Sequence, residues 1–171
     1  MFGGNLAVLR AILDGLASED VAVLMTVGGP GDPDAIGEVP ANARVERYVP
    51  QEVVLAYCAA VVSHAGAGTT LGALAHGLPQ VLLPQGADQY INAARCEAAG
   101  LGRRLMPVAS TAEAVRSALR AVLDDATYGD NARRVQTDMA TAMSSEEAVA
   151  LITGKSACDK TGLADRSDRA Q

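Results

Sequence analysis

Short apolar runs alternating with amphipathic stripes constrain this chain's fold more than anything else in it. Residues 20–27, carrying VAVLMTV, read as a buried strand, and 43–46, 60–63 and 80–83 as shorter ones, with a last short strand near Arg104. Between them lie stripes of helical period. Residues 5–18 place Leu6, Leu9, Ile12, Leu13 and Leu16 on one face, with Asn5 as cap. Further helices are read at 52–58, 69–76, 89–99, 111–123 with a Thr-x-Glu start, 128–143 and 145–152. Residues 28–42, rich in Gly, Pro and Asp, read as a surface loop. Apolar strands alternating with helices imply an α/β domain, a parallel sheet covered by helices on both faces.

One of these strand-to-helix junctions carries chemistry. Val61 to Thr70 reads VVSHAGAGTT: a strand end, a histidine, a turn of small residues and a helix start. The first N–H groups of a helix have no intrahelical acceptor, and with the helix dipole they favour an anion. Gly66 and Gly68 let the backbone approach it, and His64 stands where it can donate from the side. Two phosphate motifs fail here. A P-loop needs a Lys after its second glycine, and none is near. Gly66, Gly68 and Gly72 give a variant of the dinucleotide spacing, but after an inner strand and without the acidic ribose ligand that should follow.

The surrounding residues specify more. From Arg47 to Leu105, Pro50-Gln51, His64-x-Gly66, Gly77-x-Pro79, Pro84, Asp88-Gln89 and Asn92-Ala93 fall in one order. This stretch resembles the nucleotide-sugar signature in the C-terminal domain of GT-B glycosyltransferases. The likeness is to actinobacterial enzymes that glycosylate macrolides and other natural products, more than to plant members. The resemblance implies a Rossmann-like sheet forming the C-terminal half of a GT-B fold. It implies that His64 donates to the donor's diphosphate and stabilises the charge that grows as the nucleotide leaves. Gly66, Ala67, Gly68 and Thr69 then hold the phosphates, Asp88 and Gln89 bind hydroxyls of the transferred sugar, and Tyr48 and Val49 hold the nucleobase. Plainer readings stand beside these: a satisfied buried histidine at 64, a simple turn with Thr69 as helix cap, an N-cap at Asp88, and a strand-end aromatic at Tyr48. His76, before Gly77 and Pro79, reads as a helix C-terminal cap.

The chain departs from the plant pattern at Gly72, eight positions after His64, where a glutamate holds the ribose hydroxyls. Glycine accepts no such bonds, which points to a dTDP rather than a UDP donor. The resemblance also implies that the general base and most of the acceptor pocket belong to an N-terminal domain that this sequence lacks. It further implies that the domain's first strand is missing, because Met1 to Asn5 matches only the turn that follows it. The neighbouring strands would then lose ladder partners, so marginal stability, oligomerisation or a misplaced start is expected. Three functional readings follow. They are the donor-binding half of an inverting, metal-independent glycosyltransferase, one subunit of a split enzyme, and a non-catalytic nucleotide-binding remnant or auxiliary module. Nucleotide-sugar epimerases share the architecture, but Asp88-Gln89 favours glycosyl transfer.

Composition adds bounds. With 171 residues, 49% of them hydrophobic, the chain can bury one full core, so a single domain at 1–153 is expected, followed by a disordered polar tail at 154–171. A net charge of −6 with few aromatics excludes nucleic acid as a main partner. Cys58, Cys96 and Cys158 lack metal-ligand spacing and read as small buried or tail residues, and the resemblance implies a metal-independent reaction with no cofactor beyond the nucleotide-sugar substrate. No signal peptide and no apolar run of membrane-spanning length is read, and a cytoplasmic location is expected.

Overall fold

The structure, a computed structural model, describes residues 6–29 and 31–154. The chain divides into two compact units, Met1–Thr137 and Asp138–Gln171. Among the described residues the strands are β1 (Val23–Thr26), β2 (Ala43–Glu46), β3 (Val61–Ser63), β4 (Gln80–Leu82) and β5 (Gly102–Arg104). The helices are α1 (Leu6–Leu16), α2 (Gln51–Val54), α3 (Ala67–Ala75), α4 (Gln89–Ala98), α5 (Ala112–Asp124), α6 (Ala126–Ala140) and α7 (Ser145–Thr153). All strand pairs are parallel, as the helical crossovers between them require.

The strands form two hydrogen-bonded groups, β1–β2 and β3–β4–β5. Within the described residues β1 pairs with β2 alone and β3 with β4 alone. Val23 and Val27 donate to Asn42 and Glu46, so Leu24 and Thr26, of opposite parity, turn their backbone groups away from β2. By the same alternation Val62 turns away from β4, because Val61 donates to Pro79 and Ser63 accepts from Leu83. Both groups of strands nevertheless share one core. Met25 and Val27 from the first and Val81 and Leu83 from the second pack with Leu9, Leu13 and Leu16 of α1 and Val115, Leu119 and Val122 of α5.

β4 shows why the sheet is covered on both faces. Its side chains alternate: Val81 and Leu83 enter that core, whereas Gln80 points the other way and its amide donates to the Thr70 carbonyl of α3 at 3.4 Å. All of them are fully buried, as is Leu82, so the sequence supplies the apolar run Val81-Leu82-Leu83 after a hydrogen-bonded Gln80.

On the other side of the core α1 lies close against α5. Gly15 has no room for a Cβ, which would run into the Ala112 carbonyl, and Arg116 donates to the Gly15 carbonyl at 3.2 Å. The Glu19 carboxylate, 8% exposed, pairs with both Arg116 and Arg120. The Asn42 amide ties the chain leaving α1 to β2 by donating to the carbonyls of Leu16, Glu19 and Val21 at 2.9–3.2 Å.

The helix ends follow local rules. α3 and α4 both close on left-handed glycines, Gly77 and Gly100, with Leu78 and Leu101 donating back across the last turn. Thr111 caps α5 by accepting from Ala114, as the Thr-x-Glu start predicts. In the second unit α7 opens on a capping box between Ser144 and Glu147.

The structure departs from the sequence reading in places. The first strand is shorter than 20–27, and Leu24 and Thr26 are exposed, because only one face of β1 is covered. α3 begins at Ala67 with Gly66 as its cap residue, so Thr69 lies inside the helix and is not its cap. The 28–42 loop carries a 3-10 turn at Pro33–Ile36, capped by the Asp32 side chain. Asn5, Cys158 and residues 155–171 lie outside the described residues.

Candidate functional site

The register Ser63↔Leu82 sets the carboxyl ends of β3 and β4 side by side, and the loops that leave them make the two walls of one site. This is where open parallel sheets place ligands. The first wall is the turn from β3 into α3. Ser63 is buried and its hydroxyl accepts from the Ala65 amide at 3.1 Å. Ala65, fully buried, takes a left-handed φ of 65°, which reverses the chain and folds His64 back over Gly66. A Cβ built on Gly66 would sit 2.5 Å from Nε2 of His64, so a side chain here would displace the imidazole. The first intrahelical bond is Thr70 to the Gly66 carbonyl, which leaves the N–H groups of Ala67, Gly68 and Thr69 ahead of the helical ladder. Nothing lies within 4 Å of a Cβ built on Gly68, so the fold itself does not demand that glycine.

Burial pushes the His64 pKa below its ordinary value, and the Asp88 carboxylate opposes that shift. In its neutral form an imidazole carries one donor and one acceptor nitrogen. The Thr69 hydroxyl accepts from the Gln51 amide at 2.8 Å, which takes up a lone pair and leaves its own proton to point elsewhere.

The second wall is the loop from β4 into α4. Ala87 is the other left-handed residue without a glycine's freedom, at φ 51°, and it presents Asp88 at the start of α4. Asp88 occupies the N-cap position of α4 as read from the sequence, but its side chain makes no capping bond to the helix backbone and accepts instead from Asn92 Nδ2 at 3.0 Å. The Gln89 carbonyl oxygen accepts from the amides of Gln85 and Gly86 at 2.8 and 3.1 Å, so its NH2 end is the one left to face a ligand. Asn92 Nδ2 also donates to the Ala65 carbonyl at 3.1 Å, which joins the two walls.

Tyr48 and Val49 lie beyond the carboxyl end of β2, with Tyr48 70% exposed. Gln51 connects their loop to α3 through Thr69. His76 ends α3 and its Nδ1 bonds the Gly72 carbonyl at 2.9 Å, in line with a helix cap. A Cβ on Gly72 would meet Leu55 at 3.3 Å and Gln51 Oε1 at 3.7 Å. Sequence reasoning gave no role to Gln51, Ser63 or Asn92. Gln51 and Asn92 stood in the anchor pattern, and the i, i+4 spacing of Asp88 and Asn92 was a usable signal. Among the described residues there is no group of three or more His, Cys, Asp or Glu that could hold a metal. No helix among them is long and apolar enough to cross a membrane. Burial raises the thiol pKa of both Cys58 and Cys96.

Parallel strands flanked by helices, with two loops meeting at adjacent strand ends, match the C-terminal domain of GT-B glycosyltransferases. Within that class the chain belongs to the family described as erythromycin biosynthesis protein CIII-like, C-terminal domain, which matches residues 10–153. A curated relative, 4'-demethylrebeccamycin synthase of Lentzea aerocolonigenes, is 36% identical over 139 residues, 81% of this chain and 32% of that protein. The crystal structure of CalG4, the calicheamicin glycosyltransferase, superposes with a TM-score of 0.83 at 28% identity, covering 91% of this chain and 40% of that one. Spinosyn rhamnosyltransferase SpnG complexed with thymidine diphosphate gives a TM-score of 0.77 at 28% identity, covering 89% and 41%. The chain spans about a third of the length of the curated relatives it matches.

Proposed function

We propose that this chain is the donor-binding half of an inverting, metal-independent glycosyltransferase that takes a thymidine diphosphate sugar and glycosylates a small natural-product hydroxyl. The observation that carries the reading is the β3–α3 turn, where left-handed Ala65 sets His64 over Gly66 beside three N–H groups ahead of the α3 ladder. Together these donors suit a diphosphate. Ala67, Gly68 and Thr69 meet the phosphates, Asp88 and the NH2 of Gln89 meet the sugar, and Tyr48 with the Val49 backbone holds the base. In the reaction an acceptor hydroxyl, deprotonated by a base outside this chain, attacks the anomeric carbon with inversion. The glycosidic bond to the diphosphate breaks, and its electrons go to the phosphate oxygen that His64 and the α3 amides stabilise.

The thymidine preference rests on Gly72, which has no side chain of its own to accept from a ribose 2′-hydroxyl. It is supported by the thymidine diphosphate complexes among the similar structures, those of VinC and SpnG. Calorimetric titration with dTDP and UDP, with His64→Ala as control, tests both parts. Binding of dTDP that the substitution abolishes is expected. A preference for UDP would overturn the thymidine assignment, and no binding of either would overturn the donor site.

A further inference from the structure

Ala65 and Ala87 are the non-glycine residues with positive φ among those described, and each stands next to a candidate ligand-binding side chain. Ala65 follows His64 and Ala87 precedes Asp88. Backbone of this kind persists only where its surroundings hold it. Ala65 is held at both ends, its N–H by the Ser63 hydroxyl at 3.1 Å and its carbonyl by Asn92 Nδ2 at 3.1 Å. The same nitrogen donates to Asp88 Oδ2 at 3.0 Å. An amide NH2 carries two protons, and here one goes to each wall of the site, across 27 residues of chain. The opposite amide orientation would set an oxygen against a carbonyl and a carboxylate, so the chemistry fixes which end faces them.

We infer that Asn92 is a positioning residue that sets the distance and angle between the diphosphate turn and the Asp88 carboxylate, and so decides how much affinity the sugar adds to that of the nucleotide. The inference rests on the donor-site reading above. The Asn92 NH2 group satisfies the Ala65 carbonyl and the Asp88 carboxylate together. Alanine at 92 leaves the Ala65 carbonyl unpaired and Asp88 free to turn, and aspartate brings three acceptors together.

The test uses the full 171-residue chain. Calorimetry gives Kd for dTDP and for dTDP-glucose, and their ratio is the sugar's contribution. In Asn92→Ala that ratio is expected to fall about tenfold or more, the scale of a lost bond to a charged group. In an Asp88→Ala background the same substitution should leave the ratio unchanged, because Asn92 acts through Asp88. A purely structural role would instead weaken both ligands equally in both backgrounds, and that result overturns the inference. Asn92→Asp, which keeps the volume, is expected to show the same loss. Should neither variant fold, the side-chain amide protons of Asn92 in the unaltered chain decide by NMR. Slow exchange, with a shift on adding dTDP-glucose but not dTDP, supports the clamp, and fast exchange without a shift overturns it. An unaltered chain that binds neither ligand overturns the donor-site reading and this inference with it. Binding whose sugar contribution ignores Asn92 overturns this inference alone.

Discussion

Gly66 and Gly68, one residue between them, have different reasons for being glycine, and single substitutions separate them. At Gly66 a Cβ would strike the His64 ring, so Gly66→Ala should displace the imidazole and abolish dTDP binding in a calorimetric titration. At Gly68 a Cβ meets nothing, and alanine is the better helix residue by roughly 0.5–1 kcal/mol. Gly68→Ala should therefore leave thermal stability unchanged or raised while weakening nucleotide binding, because the proposed phosphate contacts are made by the backbone at this position. Equal loss of stability and binding would show that Gly68 serves the fold. His64 offers a second residue-scale test. Its folded pKa lies below the ordinary value because burial disfavours the charged ring. The unfolded state then binds more protons between the two values, so stability rises with pH through that window. The contribution is complete above about 6.5 and is lost as pH falls. NMR titration of the His64 ring should give a pKa below about 6.5 in the free chain, and an upward move once dTDP places its charge beside the ring. A pKa unmoved by dTDP would remove His64 from the diphosphate site.

Among the elements, the α1–α5 contact and the helix caps respond differently to substitution. Gly15→Ala forces a methyl group into the Ala112 carbonyl where two buried helices meet, and should cost about 1–3 kcal/mol in urea unfolding. Thr111→Ala removes one capping bond to Ala114 and should cost about 0.5–2 kcal/mol. The cap was legible in sequence because Thr-x-Glu before an apolar stripe is a local rule. The close approach at Gly15 was not, because it depends on a helix almost a hundred residues away. The same division runs through the site. Glycine spacing and a strand-to-helix junction announced the β3–α3 turn. The role of Asn92 was hidden, since its partner Ala65 is distant in sequence and becomes a neighbour only when β3 and β4 pair. Asp88 stands at the N-cap position of α4 as the local rule expects, but its carboxylate turns to the Asn92 side chain and not to a backbone N–H.

For the whole molecule the break in pairing between β1–β2 and β3–β4–β5 is the decisive feature. Leu24, Thr26 and Val62 present backbone groups to no described strand, and the two groups of strands are joined through the side chains of α1 and α5. A domain that relies on such a shared core without a continuous ladder should be weaker than the ordinary range of about 5–15 kcal/mol. Equilibrium urea unfolding of the 171-residue chain is expected to give less than about 5 kcal/mol. A cooperative monomer within the ordinary range would show that side-chain packing alone closes the gap. The family reading survives either result, since it rests on the match to residues 10–153 and on the superposition, not on stability.

By itself the sequence determined the order and kind of the elements, the parallel α/β class and the two segments that make the site. Those features are written in short-range patterns: apolar runs of strand length, helical stripes, capping residues and glycines at turns. Only the tertiary structure decided which side chains hold which. It placed Gln51 on Thr69, tied Ala65 to Asp88 through one amide, and set His64 over Gly66. Such contacts join residues far apart in the chain, and no local pattern encodes a distance that exists only after the strands have paired and the helices have packed.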